Sequence, residues 1–284
     1  MSRYLLFLIT FLSFPPLFAQ KAQIKVGYDY VVKMNGDIRK DEYILLSGEQ
    51  ESMFYNPTAL WMDINSKDDA ACKAYGSMAA QLMESGRGSE VPNRSVSMYI
   101  FKDFSKQEKT VYDDYSDQFA VYKEPFSEMQ WEIESDSTKT VLDYECVMAR
   151  SSYHGRNWTV WFAPEIPVHD GPWKFGGLPG LILEAAESAG IHSFIANGVE
   201  MTDVDIPGMQ RDDWYHKEDR IKYLRGKYRH LQDPLADLAG GNLPPNAKIF
   251  VNGEETTRAR LQEQFRKVLD SGYDFLETDY HHDL

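Results

Sequence analysis

Two cysteines in 284 residues, Cys72 and Cys146, are too few for a disulfide framework. An oxidising compartment would permit one bridge, but bridging needs close Cα atoms, which a sequence does not fix. Cys72 falls in an expected helix and Cys146 in an expected strand, each on a partly apolar face. Two buried free thiols are therefore favoured over a bridge. A zinc site built on the pair would need further ligands at local spacing, and none is present. Positive charge is also short, with 30 Lys and Arg against 44 Asp and Glu. The formal charge of −14 argues against nucleic acid and against docking on anionic lipid heads, both of which want a basic surface. Colloidal solubility is the plain reading of such acidity, and attraction for cationic peptides or metal ions the sharper one. G-x-S-x-G, H-E-x-x-H, phosphate-loop and dinucleotide patterns are all missing, which lowers the odds of the commonest enzyme chemistries.

Long apolar runs are missing too. The nearest is Tyr4 to Leu12, which follows Met1-Ser2-Arg3 and precedes Ser13 to Ala19. One positive charge, a short apolar core and a small residue at Ala19 predict a Sec-type signal peptide over residues 1–19. Pro15 and Pro16 interrupt it and it is too short to span a bilayer. No cysteine lies near the cut, so a lipid anchor is not expected. The product is expected to be periplasmic or secreted, without a transmembrane segment.

What is present is mostly strand signal. Gln23 to Met34 alternates apolar and polar residues, the mark of a half-buried antiparallel strand. Asn35-Gly36-Asp37 predicts a turn and Glu42 to Ser47 a second strand, with Met53 to Tyr55 continuing it. Asn56-Pro57 then breaks the pattern. Ser66 to Glu84 places Ala71, Tyr75, Met78, Ala79 and Leu82 at helical spacing behind an acidic start, predicting one amphipathic helix that covers a sheet. Short strands return at 95–101, 110–115, 119–122, 130–133, 144–151, 157–163, 181–187 and 191–196, separated by tight polar turns. Neighbouring short strands of this kind predict an antiparallel meander. After Pro207 the stripes of 211–231 and 256–269 predict helices, with a break at Gly240-Gly241 and a frayed tail from Glu277. The expected fold is α+β: a curved antiparallel sheet, half-barrel or bowl-like, over 20–206, covered by the helix at 66–84 and by C-terminal helices in 207–284.

The chain is organised around Gly171 to Ala185. Gly176-Gly177-Leu178-Pro179-Gly180 reads as a type II turn, with Pro179 at the second position and Gly180 supplying a positive φ. Trp173, Phe175, Leu178, Leu181, Ile182 and Leu183 make this turn too apolar for a surface loop, so it is expected to pack inside the domain. Residues 177–182 spell GLPGLI. Together with Asp143 to Cys146, Gly155 to Trp158 and Trp161 to Pro167, the block 130–197 resembles the GLPGLI family of secreted Bacteroidetes proteins. The resemblance implies an exported, β-rich protein and assigns no catalytic residue or cofactor.

Candidate chemistry is sparse. Glu165, His169 and Asp170 near the signature offer carboxylates and an imidazole for a peptidase-like hydrolase. Pro164 and Pro167 keep that loop from being helical, so Glu165 is expected to bond loop amides and His169 to be exposed. His154 reads as a hairpin tip and His192 as an outward strand position. His281 and His282, with Asp279 and Asp283, could capture a metal only from a floppy tail. The aromatics Trp158, Trp161, Trp173 and Phe175 cluster around the glycine-rich turn. They either fill the core or line a concavity for an apolar, peptide or glycan ligand. Trp158 and Trp161 differ in strand parity, so one should face outward and is the best single ligand contact. The expectation is a non-enzymatic envelope factor that binds a ligand or partner and carries no cofactor or metal. The hydrolase, or an accessory of an outer-membrane transport or assembly system, is the alternative.

Overall fold

The computed structural model describes residues 21–34, 37–92, 98–115, 118–233, 235, 244, 246–251, 254–270 and 276–281. The expected signal peptide, the Asn35-Gly36 turn centre, the Gly240-Gly241 break and His282 to Leu284 lie outside them. Twelve strands form one sheet. The chain begins at its centre with β1 (Ile24–Met34) and steps outward through β2 (Asp37–Ser47), β3 (Glu51–Tyr55), β4 (Tyr99–Asp103), β5 (Glu108–Tyr115) and β6 (Gln118–Pro125). It then crosses to the opposite edge at β7 (Glu132–Val141). From there it returns inward through β8 (Tyr144–Tyr153), β9 (Arg156–Ala163), β10 (Leu181–Glu187) and β11 (His192–Met201), closing against β1. The sheet is open rather than a closed barrel. Every pairing in it is antiparallel except that of β12 (His216–Lys217), which lies parallel to β6.

Alternation decides the faces. In β1, Ile24, Val26, Tyr28, Tyr30 and Val32 are all buried on one side. They join Tyr43, Leu45, Phe54, Ile100 and Val111 from the outgoing meander and Trp158, Val160, Phe162, Ala185 and Phe194 from the returning one in a single cluster. One curved sheet thus shares one interior between its two meanders. A smaller cluster covers the other face of β2–β4, where Leu46, Met53, Tyr55 and Tyr99 meet Ala59, Leu60 and Ile206.

The lid on that outer face is α1 (Pro57–Asn65), not the helix expected at 66–84. Asn56-Pro57 is a start signal rather than a break. The Asn56 side chain accepts from Ala59 N, and Pro57 sits where a missing N–H costs nothing. α2 (Asp69–Glu84), capped by Asp68, follows the expected spacing but buries none of its residues. Cys72, on α2, is consequently exposed, which corrects the reading of two buried thiols; Cys146 is buried, and both are free.

The C-terminal part also departs from a plain helical reading. Arg211 to Lys217 forms a tight turn and β12, and α3 (Arg220–Gln232) begins only where the Asp219 carboxylate accepts from Lys222 N. Trp214, expected on the helix stripe, instead stacks edge-on against Phe119 with Arg211 over its ring. β13 (Lys248–Val251) and β14 (Glu254–Thr257) form a hairpin that leads into α4 (Arg258–Asp270). Thr256 and Thr257, read as helix, pair instead with Ile249 and Lys248, as β-branched residues favour. Tyr223 and Leu224 of α3, together with Tyr280, belong to the main interior cluster. The expected fraying therefore does not extend to Tyr280, whose ring is wholly buried. No helix among the described residues is long and apolar enough to cross a membrane.

Candidate functional site

The connector between β9 and β10, residues 164–180, carries the signature and lies inside the bowl. Trp173, Lys174 and Phe175 have no exposed surface, and Leu178 and Ile182 have almost none. Its tight bend is not the expected type II turn. Gly180 N donates to Leu178 O at 2.9 Å, so the bend closes over Pro179 alone, with Gly180 at φ 156°. A Cβ at Gly180 would stand 2.3 Å from the Ala163 carbonyl oxygen, so close backbone approach dictates glycine. A second turn runs from Pro172 O to Phe175 N and places Trp173 at φ 51°, a position glycine normally fills. That conformation costs on the order of 1–3 kcal/mol, and the packing of Trp173 against Trp158, Phe175 and Tyr153 holds it.

Two buried ionic groups pin this connector. In the first, Lys102 of β4 donates to Asp170 Oδ1 at 2.5 Å and to the carbonyls of Gly171 and Phe175 at 2.7 and 2.8 Å. Asp170 also accepts from Ser47 Oγ at 2.9 Å. Neither Lys102 nor Asp170 has exposed surface, and burial pulls the Lys102 ammonium below its ordinary range although Asp170 supports it. In the second, Lys174 contacts Glu124 of β6 at 2.9 Å and Glu277 at 2.5 Å. Arg220, at the start of α3, bonds Glu277 and Asp279 at 2.5 Å each and reaches Glu124 at 3.2 Å.

His154 completes this second group at 3.1 Å from Glu124 and 3.2 Å from Asp279. Burial draws its pKa down, but the Glu277 charge and the bonds to Asp279 and Glu124 outweigh burial and raise it above the ordinary value. Three carboxylates facing Lys174 and Arg220 leave one negative charge, which a protonated His154 balances. Burial works against the ionised Glu124, yet Lys174 and His154 hold its carboxyl well below the usual range. His154 does occupy the tip of the β8–β9 hairpin, in left-handed conformation beside Gly155. It is nevertheless buried, because Thr278 and Asp279 close over the tip, where Thr278 N donates to His154 O at 2.9 Å. Glu124, Glu128 and His154, and likewise His154, Glu277 and Asp279, bring ligand atoms within 4.8 Å of one another. Lys174 and Arg220 already hold the buried carboxylates of both groups, so a divalent cation would have to displace them.

Between these groups sits Lys109 of β5, wholly buried, with its amine 2.8 Å from the Tyr153 hydroxyl. Burial lowers it to about 8, against the supporting charge of Glu124 and with the repulsion of Lys174 and Lys102. None of these buried lysines stands out in the sequence. In β4 and β5, Lys102 and Lys109 occupy inward positions that look like ordinary polar alternation.

The residues singled out for hydrolysis do not converge. Asp170 is bonded to Lys102 and Ser47, while Glu165 and His169 are exposed. The loop amides at Ile166 and Val168 bond backbone carbonyls rather than Glu165, and His169 Nδ1 donates to Leu178 O at 2.8 Å. His192 is not outward. It is buried, and its Nδ1 shares a hydrogen bond with the Tyr30 hydroxyl at 2.8 Å. Burial, with Arg156 nearby, lowers it to about 4.

Of the aromatics, Trp158 turns inward with 1% of its surface exposed, while Trp161 faces out and carries Lys139 4.5 Å above its ring. Among the aromatics near the signature, Trp131, just before β7, also lines open space and is not among the expected ligand contacts. Its Nε1 donates to Gly176 O of the signature at 2.9 Å, and it borders hollows on both sides. One, of about 550 Å³, runs along the start of β7 and the β8–β9 hairpin, where Glu128, Glu132, Arg150 and Asn157 join it. Ser151 and Trp158, partners across β8 and β9, line the same hollow. Ser151 Oγ and Trp158 Nε1 are buried without a hydrogen-bond partner among the described residues, and neither atom has surface open to the hollow.

A family model described as "Protein of unknown function (Porph_ging)" matches residues 154–184, from the His154 tip through the signature. No curated protein matches the chain. Two solved structures, titled "Structure of PNGF-II in P21 space group" and "Structure of PNGF-II in C2 space group", are similar at 14% identity, with TM-scores of 0.46 and 0.45. Each similarity covers 72% of this chain and 32% of the other, so the chain spans about a third of their length.

Proposed function

We propose that this is an exported GLPGLI-family protein of the cell envelope that binds a ligand without turning it over, and that the hollow beside Trp131 is its binding surface. The observation that carries the reading is Trp131, which lines that hollow together with polar side chains of β7, β8 and β9. Trp131, held by the Gly176 carbonyl, adds a pre-set aromatic face and links the signature to the binding surface. The geometry opposes the hydrolase alternative, because Asp170 is held in the interior by Lys102 and Ser47 while Glu165 and His169 lie at the surface.

The test compares protein recovered from its native envelope with the Trp131→Ala variant by native mass spectrometry. The expected result is a retained small-molecule adduct on the native chain that the variant loses, with a melting temperature that holds. A variant that melts lower and keeps the adduct would show that Trp131 serves packing alone.

A further inference from the structure

Both nitrogens of the His154 ring face carboxylates. Nδ1 lies 3.2 Å from Asp279 Oδ2, and Nε2 lies 3.1 Å from Glu124 Oε1 and 3.8 Å from Glu277 Oε2. An ionised carboxylate only accepts, and a neutral imidazole carries one N–H, so one nitrogen would turn its lone pair on a negative charge. Only the imidazolium offers a proton on each side. Two of the three carboxylates belong to the segment 276–281, which closes over the β8–β9 tip. There Thr278 N donates to His154 O at 2.9 Å and Thr278 Oγ1 to Gly155 O at 3.1 Å. We infer that His154 is a proton-operated latch, which holds 276–281 on the hairpin tip when charged and loosens it when neutral. The inference is independent of the Trp131 hollow.

The groups around the ring set the direction. Glu124 and Tyr122 come from β6, Lys174 from the connector, Arg220 from α3, and Tyr153 from β8 with its ring centroid 3.8 Å away. Glu128 brings its carboxylate within 4.8 Å of the His154 and Glu124 ligand atoms. The carboxylates outweigh burial and the repulsion of Lys174, so the folded pKa stands above the ordinary 6.5. The stability that this proton gives is full below the unfolded value and is lost as pH rises through the folded one. The latch is therefore shut on the acid side and loosens on the alkaline side. Lys109, which burial lowers to about 8, titrates in the same range, but it bonds the Tyr153 hydroxyl rather than the segment. Glu277 is also a partner of Lys174 at 2.5 Å, so loosening 276–281 weakens one of the two ionic holds on the signature connector.

The experiment is hydrogen exchange on the full chain and on its His154→Gln variant from about pH 6 to about pH 9, with each rate divided by its intrinsic value at that pH. In the native protein, protection over 276–281 is expected to fall as pH rises while that of β1 holds. His154→Gln should start with less protection over 276–281 at the acid end and lose less of it, since only the Lys109 contribution remains. The His154 imidazole resonance of the native chain should titrate above 6.5. Equal protection over 276–281 in both proteins at every pH overturns the inference, and so does a resonance titrating at or below the ordinary value. A loss in β1 as large as that in 276–281 overturns it as well, because the event would then be global unfolding. If His154→Gln does not fold, the exchange profile and the resonance of the native chain decide.

Discussion

Replacing Lys102 by Met tests whether the signature connector is sealed into the interior by charge. The ammonium has no exposed surface and makes three contacts, to Asp170, Gly171 O and Phe175 O. Methionine fills a similar volume, so the cost is electrostatic rather than a cavity. Asp170 would remain wholly buried with only Ser47 Oγ and Gly171 N to stabilise its charge, and two carbonyls would lose a donor. Stranding one member of a buried ion pair costs about 3–5 kcal/mol. At roughly 2–4 °C per kcal/mol for a chain of this size, the melting temperature should fall by about 6–20 °C. Asp170→Leu alone should cost a similar amount by stranding Lys102. The double variant should lose much less than the sum, because an apolar pair pays no desolvation penalty, and the coupling read from the cycle should exceed about 2 kcal/mol. Urea unfolding followed by tryptophan fluorescence measures all four proteins. Additive losses, or a Lys102→Met cost below about 1 kcal/mol, would mean that the ammonium is hydrated and that something other than charge holds the connector.

Two further outcomes follow from the buried groups. His192, lowered from 6.5 to about 4 mainly by burial, contributes stability that is present above the unfolded value and is lost as pH falls towards the folded one. The shift corresponds to about 3 kcal/mol, so the difference in unfolding free energy between native and His192→Phe protein should shrink from pH 7 to pH 4, and an imidazole resonance titrating near 6.5 would contradict it. Exposed Cys72 should react with a thiol reagent in the native protein, while Cys146, whose thiol burial pushes up to about 11, should react only after unfolding; two fast equivalents would refute the burial of Cys146.

The strands were legible because period-two alternation is written into each of them, and the meander followed from their short polar turns. The order of the sheet was not, since nothing local tells β7 to cross to the far edge. Helix boundaries failed where a cap was read as a breaker. Asn56-Pro57 starts α1, and the spacing of α2 describes an amphipathic helix that has no surface to cover. The apolar character of Gly171 to Ala185 correctly placed the connector inside, but its polar partners lie far off in sequence. Lys102 is 68 residues from Asp170, and Lys174 is 103 from Glu277. A lone lysine on an alternating strand carries no mark of burial.

The same distance explains why the C-terminal segment reads as a frayed tail when it is structural. Lys174 belongs to the connector, Glu124 to the outgoing meander, His154 to the returning one, and Glu277 and Asp279 to the segment 276–281. Each would be an uncompensated buried charge without the others, and such a charge costs several kcal/mol. Arg220 joins them from α3, so the helical part cannot leave without taking Arg220 from the Glu124 carboxylate of β6 and Glu277 from Lys174. The signature therefore owes its position to partners on both sides of the sheet. It also explains why a match confined to residues 154–184 captures the tip and the connector but none of the acidic residues that neutralise Lys174.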